Sequence, residues 1–310
     1  MQNVLVLGAN GFIGQNLIQR LSSEVDIVVG YDRSMPEKHL PYLSLKGDFL
    51  QEKNFEEILR HYKIDTVYHL ISTTFPSSGT TQIVQEMEEN VIPTVRLLEA
   101  MKNVGAKSII FASSGGTVYG ESMGGAAHRC ADALSPICTY GLQKLIIEEC
   151  LNFYGRLGNI NCYVARISNP YGIILSKTRA QGIIPIFISK LLSNEPITVY
   201  GETIRDYIHI SDVINALVLI GQYKSTRRIF NIGTGVPTDL HTLIKMLENI
   251  VQRTFVGVNK QDRRDCDVYE NVLDISDTIS ELGWQPKIAL EEGIRITLHE
   301  MLRGAEFFHI

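Results

Sequence analysis

The stretch Gly8-Ala9-Asn10-Gly11-Phe12-Ile13-Gly14 decides the fold of this chain. Asn3 to Leu7 before it is a short apolar run that reads as a buried strand, and Phe12 to Ser22 after it repeats apolar residues at helical spacing. A strand that turns into a helix through three spaced glycines suits a pyrophosphate. Gly8 permits the tight turn, Gly11 lets the backbone come close, and Gly14 allows helix and sheet to pack together. The amides at the helix start, those of Phe12 and Ile13 among them, then face the phosphates. A glycine-rich turn without a ligand is the bland alternative, and the residues downstream weigh against it.

Ile27 to Tyr31 reads as a second strand, Lys53 to Tyr62 as a helix and Ile64 to Ile71 as a later strand. A long helix over Thr80 to Asn103, a strand over Lys107 to Ala112, a helix over Tyr140 to Gly158 and a strand over Asn161 to Ile167 follow. Repeated strand-helix units predict a parallel sheet with helices on both faces, a Rossmann-type doubly wound α/β fold. From about Asn169 the alternation gives way to longer loops and separate helices such as Ile183 to Ser193 and Asp239 to Gln252. The expected division is a dinucleotide-binding domain over 1–168 and a smaller substrate lobe over 169–310, with some segments returning to the sheet.

Asp32 ends the second strand, where a carboxylate accepts the adenosine ribose hydroxyls and repels a 2′-phosphate. This favours NAD over NADP, although the guanidinium of Arg33 could offset the repulsion. Asp48, after the next strand, suits the adenine amino group or simply a surface turn.

The bulk composition sets outer limits. With 310 residues, 45% hydrophobic and 20% charged, the chain is an ordinary globular protein, and its net charge of −5 argues against nucleic acid or an anionic membrane surface as partner. No run approaches the roughly 18 apolar residues of a membrane span. The first residues lead straight into a strand, so no signal peptide is expected. Cys130, Cys138, Cys150, Cys162 and Cys266 are odd in number and show no CxxC spacing, which predicts reduced thiols, a cytoplasmic setting and no metal.

Tyr140 and Lys144 stand four apart on a predicted helix and so share a face. A tyrosine with a pKa of about 10 becomes a base at neutral pH only if cations lower that value by ~3 units, or roughly 4 kcal/mol. An ammonium and an oxidised nicotinamide can supply this. Alone, the spacing is commonplace. Here it follows Ser113-Ser114-Gly115-Gly116-Thr117-Val118-Tyr119-Gly120 at a strand's carboxyl end, the ligand-binding edge of such a sheet.

These residues resemble the extended short-chain dehydrogenase/reductase family, in particular its nucleotide-sugar epimerases and dehydratases, over almost the whole chain. The glycine spacing, Asp32, His69-Leu70, Asn90, Ser114, Tyr140 and Lys144 match it. So do Arg166-Ile167-Ser168-Asn169-Pro170-Tyr171-Gly172, Arg205-Asp206-Tyr207, Arg264-Asp265-Cys266-Asp267-Val268 and Leu282-Gly283-Trp284-Gln285-Pro286. The resemblance implies cofactor contacts at Asp48, Phe49, Leu70, Ile71, Ser72 and Asn90 as well as Tyr140 and Lys144. It implies Ser114, Tyr140, Asn169, Arg205, Arg264 and Asn271 around a nucleotide diphosphate sugar, UDP-linked in the nearest group. Arg205 and Arg264 would clamp the diphosphate, while Asp206 and Asp267 orient their neighbours. A homodimer through the two long helices is also implied.

By the same resemblance, the reaction opens when tyrosinate takes a sugar hydroxyl proton while NAD takes hydride from that carbon. Dehydratases of the family add an Asp-Glu pair before Val118-Tyr119-Gly120, where this chain has Gly116 and Thr117. Decarboxylases add a glutamate to that loop and 3,5-epimerases often a cysteine, and neither is present. A 4-epimerase needs no further group. An NADP-dependent 4-keto reductase or a 4,6-dehydratase is the alternative, ahead of a silent NAD(P)-sensing regulator. Ser113 and Thr117 remain alternatives to Ser114, and the modest size of Asn271 suggests room for a 2-acetamido sugar.

Overall fold

The computed structural model describes residues 2–35, 42–76, 83–122, 125–158, 160–172 and 182–306. In chain order the strands are β1 (Asn3–Leu7), β2 (Ile27–Asp32), β3 (Leu43–Lys46), β4 (Thr66–His69), β5 (Ser108–Ser114), β6 (Asn161–Ile167) and β7 (Asn169–Tyr171). Then come β8 (Ile197–Tyr200), β9 (Ile204–His209), β10 (Ile229–Ile232), β11 (Pro237–Asp239), β12 (Val258–Gln261) and β13 (Glu270–Asn271).

Seven strands form one parallel sheet in the order β10-β6-β5-β4-β1-β2-β3. The strand order reverses between β1 and β4, and a crevice opens there beyond the strands' carboxyl ends, the standard place for a ligand in such sheets. The apolar runs of β1 follow from burial on both faces. Val4 and Val6 point into one core with Leu17, Ile110, Ala165 and Leu217. Leu5 and Leu7 point into the other with Val67, Phe111, Leu97 and Ile147, as the two-residue period of a strand requires.

Helix α1 (Phe12–Leu21) packs on the first face beside helix Ile210–Gln222. The second face carries α2 (Phe55–His61), α3 (Ile83–Glu86), α4 (Ile92–Val104) and α5 (Thr139–Arg156). The long helix expected over Thr80 to Asn103 is interrupted. A π-turn, Met87–Val91, stands between α3 and α4, and Thr80 lies outside the described residues. Hydrophobic periodicity does not register the one-residue slip of a π-turn. Strand β5 also runs on through Ser113 and Ser114, two residues past the expected end.

The second half of the chain holds more strand than its sequence suggested. β9 pairs with β7, β11 and β13, and β8 with β12, around a third core built on Ile184, Ile188, Leu243, Leu247 and Ile294. These strands are two to six residues long, too short for an alternation to stand out. β10 joins the edge of the main sheet against β6.

Candidate active site

The glycine turn is built as its spacing requires. Gly8 has φ +84°, a left-handed conformation that favours glycine, and lies against the Leu70–Ile71 backbone across the crevice. A Cβ on Gly14 would sit 2.1 Å from the Gly8 carbonyl oxygen, so only glycine lets α1 start this close to β1. Gly11 caps α1 without a side-chain hydrogen bond, and the first turn has no acidic residue. The leading amides, Phe12 and Ile13 included, are thus left to an anion, as a pyrophosphate requires.

Asp32 lies at the end of β2, its Oδ2 accepting from the Asn10 amide at 3.0 Å and its Oδ1 from the Ser34 amide at 3.2 Å. The carboxylate thereby joins the two loops that flank the expected ribose position, a part for Asn10 and Ser34 that the sequence reading missed. Arg33 is exposed beside it. Asp48 accepts from the Leu50 amide at 3.2 Å and so shapes its own turn. The Phe49 ring is buried against Phe55 and His69, so any cofactor contact there falls to its backbone.

Leu70, Ile71 and Ser72 follow β4 along the floor of the crevice. Asn90 stands behind them, buried. Its Oδ1 accepts from the Thr73 amide at 3.0 Å and its Nδ2 donates to Thr73 Oγ1 and Glu86 Oε2. Asn90 therefore shapes the loop carrying Ser72. Gln143 on α5 donates to Ser72 and Thr74 hydroxyls at 3.2 and 3.3 Å. His69 is buried against Thr94, and burial with the nearby Lys144 charge pushes it down to about 3, so it is neutral.

Ser114, Tyr140 and Lys144 come together at the end of β5. Cys138 caps α5, its Sγ accepting from the Gly141 amide at 3.4 Å. A Cβ on Gly141 would meet the Thr117 carbonyl oxygen at 2.6 Å, so glycine there lets the first turn of α5 lie directly on the serine loop. That close approach brings the Tyr140 phenol into hydrogen bonding with Ser114. The hydroxyl of Ser113 is taken up by Glu148, and that of Thr117 is buried without a partner among the described residues. Of the three hydroxyls, the structure brings Ser114 to the tyrosine.

Lys144 is 3% exposed, donates to the Ala112 carbonyl at 2.9 Å and lies 5.5 Å from the Tyr140 ring centre. Burial pushes its ammonium down to about 8, while the charges of Glu148 and Glu86 oppose that. Burial also holds the Tyr140 phenol above its ordinary value, Cys138 and Glu86 adding to the rise and the Ser114 hydrogen bond opposing it. Tyr140, Lys144 and Glu148 form a ladder of i, i+4 steps along α5, and the third rung was legible in the sequence but not read there. Glu148 pairs with the buried Arg166 at 2.7 Å, and Arg166 also donates to Tyr119 at 2.9 Å.

Arg205 donates to the carbonyls of Ile204, Tyr269 and Val268 at 2.7 to 3.0 Å and makes no ion pair among the described residues. Asp267 and Glu121 act on it only from a distance, which leaves room for an anionic group. Arg264 is exposed, stacked 4.8 Å from the Tyr200 ring centre and held by Asp267 at 2.6 Å. Asp206 is fully buried and accepts from Thr234, Gly235 and Leu273 amides, so it fastens loops. Asn169 donates to the Asp206 carbonyl at 3.1 Å. Asn271 is fully buried beside Arg205 in register and donates to the Gly115 carbonyl at 2.9 Å, tying β13 to the serine loop.

Known proteins resemble this chain over almost its whole length. A dTDP-4-dehydro-6-deoxyglucose reductase of Escherichia coli is 37% identical over 302 residues, covering 94% of this chain and 95% of that protein. A putative UDP-glucose 4-epimerase of Methanocaldococcus jannaschii is 30% identical over 309 residues, covering 96% and 98%. The solved UDP-glucose 4-epimerase of Thermotoga maritima with UDP-glucose matches with a TM-score of 0.91 at 29% identity, covering 98% of this chain and 100% of that one. The model of the NAD dependent epimerase/dehydratase family matches residues 4–233. That match opens on β1 and closes just past β10, taking in the whole seven-stranded sheet, and the chain belongs to this NAD-dependent family of enzymes.

Proposed function

We propose that this chain inverts C4 of a nucleotide diphosphate sugar, UDP-linked, through a transient 4-keto sugar. The observation that carries this reading is the joining of Ser114, Tyr140 and Lys144 beside a loop, Gly115-Gly116-Thr117, that offers no carboxylate or thiol. Such a centre moves a hydride and a hydroxyl proton and has nothing placed in that loop to eliminate water or to deprotonate C5. That weighs against a dehydratase, and the intact Tyr140–Lys144 pair against a silent regulator.

In this reading Tyr140 as phenolate takes the C4 hydroxyl proton, Ser114 holds that oxygen and Lys144 supplies positive charge. NAD, when bound, supplies the hydride acceptor and a second positive charge, offsetting the rise that burial imposes on Tyr140. Gly8, Gly11, Gly14 and Asp32 hold the cofactor, with Asp32 selecting NAD over NADP. Arg205 and Arg264 clamp the diphosphate from 169–310, the half of the chain assigned to the substrate, with Asn169 on the sugar side and the buried Asn271 acting through the Gly115 carbonyl. Five free cysteines fit a reducing cytoplasm, and among the described residues no helix is long and apolar enough to cross a membrane.

The 37% identity to the E. coli reductase favours a second reading, one-way reduction of a 4-keto sugar. Incubation with UDP-, dTDP- and GDP-sugars without added cofactor, and in parallel with a 4-keto sugar plus NADH or NADPH, followed by NMR, separates the two. Equilibration of the C4 epimers is the expected result. Turnover only of a 4-keto sugar, with stoichiometric consumption of NADH or NADPH, would replace the epimerase with the reductase.

A homodimer also belongs to this proposal. Val84 and Ile92 along α3 and α4, and Phe153 on α5 with Leu157 at its end, are exposed large apolar side chains on neighbouring helices. Substituting Phe153→Glu is expected to shift sedimentation from dimer to monomer. A wild-type chain that sediments as a monomer would remove the proposal.

A further inference from the structure

Behind the catalytic pair lies a buried carboxyl that neither the cofactor nor the substrate reading uses. Glu86 is 1% exposed at the end of α3. Its Oε2 accepts from the Thr74 hydroxyl at 2.7 Å and the Asn90 amide at 3.2 Å, and the Thr139 hydroxyl bonds the same carboxyl. Oε1 is buried with no partner among the described residues. A buried carboxylate is costly unless a cation balances it. Glu148, the other carboxylate acting on Lys144, already has Arg166, whereas Glu86 has no arginine or lysine in ion-pair contact among the described residues. The π-turn begins at the next residue, and such turns are rare and frequent at functional sites.

We infer that Glu86 is a positioning residue of the hydride-transfer centre, its carboxylate tying the loop after β4 to the first turn of α5 and balancing the ammonium of Lys144. The inference depends on the reading of Tyr140 and Lys144 as the proton-transfer pair. Thr74 and Thr139, its two hydroxyl partners, stand on those two segments, and Thr139 directly precedes Tyr140. Among the described residues, few titratable groups surround it. Glu89 lies on its own turn, Tyr140 and Lys144 face it from α5 with Cys138 and Glu148 near them, and His69 on β4 is neutral. Burial, with Glu89 adding to it, raises Glu86 above the usual carboxylate range, while its hydrogen bonds and Lys144 favour the charged form.

The sign of the effect follows from the charge. A negative Glu86 makes both Tyr140 and Lys144 hold their protons more tightly. Removing that charge lets both release protons at lower pH, so the two limbs of the pH profile move together. Loss of hydrogen bonds alone would lower activity at every pH without moving the profile.

The test compares NAD-loaded wild type, Glu86→Gln and Glu86→Asp. Tyrosinate formation is followed by near-ultraviolet absorbance against pH, with the same titration of Tyr140→Phe subtracted. The pH profile of kcat is measured on the sugar that the panel identifies. Glu86→Gln is expected to move the Tyr140 titration and both limbs of the profile down by about one pH unit. Glu86→Asp, which keeps the charge, should stay close to wild type. A titration unmoved by Glu86→Gln, or moved as far by Glu86→Asp, overturns the inference. If no sugar turns over yet the Tyr140 titration moves, the proposed reaction fails while the balancing role of Glu86 stands.

Discussion

Replacing Tyr140 with Phe is expected to reduce turnover by about 10³-fold while leaving NAD bound. Proton transfer by a positioned side chain contributes roughly 10² to 10⁴ in rate, and this centre has no second group at the Tyr140 position to take over. The substitution removes one hydroxyl, which hydrogen-bonds Ser114, from a ring that α5 continues to hold. The glycine turn and Asp32 lie across the crevice on β1 and β2 and are untouched, so the cofactor should stay. The check is steady-state turnover together with the NAD content of the purified protein. Turnover within tenfold of wild type would mean that another group moves the proton.

The second large effect is on stability. Arg166→Met should cost about 3–5 kcal/mol, because it leaves Glu148 buried without its cation. Arg166 is 2% exposed and reaches Glu148 through Nε and Nη2 and Tyr119 through Nη1. Tyr119 in turn donates to Asn231 on β10, and Ser113 donates to Glu148, so one side chain links β5, β6, α5 and β10. Urea unfolding of the NAD-free protein measures the loss. A change below about 1 kcal/mol would show that Glu148 finds solvent or a new partner in the variant.

How much of this was legible beforehand differs from element to element. Asn3–Leu7 and Asn161–Ile167 form strands with the boundaries the apolar runs gave, because burial on both faces writes continuous hydrophobicity. Gly14 could be read because its role is steric and local. Glu86 could not. Its neighbours Thr74, Asn90 and Thr139 are far apart in sequence apart from Asn90, and the π-turn that helps place it leaves no periodic trace. Choosing among Ser113, Ser114 and Thr117 needed three dimensions, since alternation along β5 sends adjacent hydroxyls to opposite faces and the sequence shows only adjacency. The strands β7 to β13 escaped for want of length, and β9 in particular gains its partners from three distant segments.

The return of β10 to the main sheet bears on where this protein can be divided. A fragment ending at residue 168 would keep every residue of the dinucleotide turn, yet it would strip β6 of its neighbour and leave an open edge. It would also lose Val213, Ala216, Leu217 and Ile220 from the face on which α1 packs. The half of the chain expected to hold the substrate thus supplies a strand and a helix face against which the cofactor half packs, in keeping with segments that return to the sheet. A graft or fusion that borrows the cofactor site must carry residues 204–232 with it.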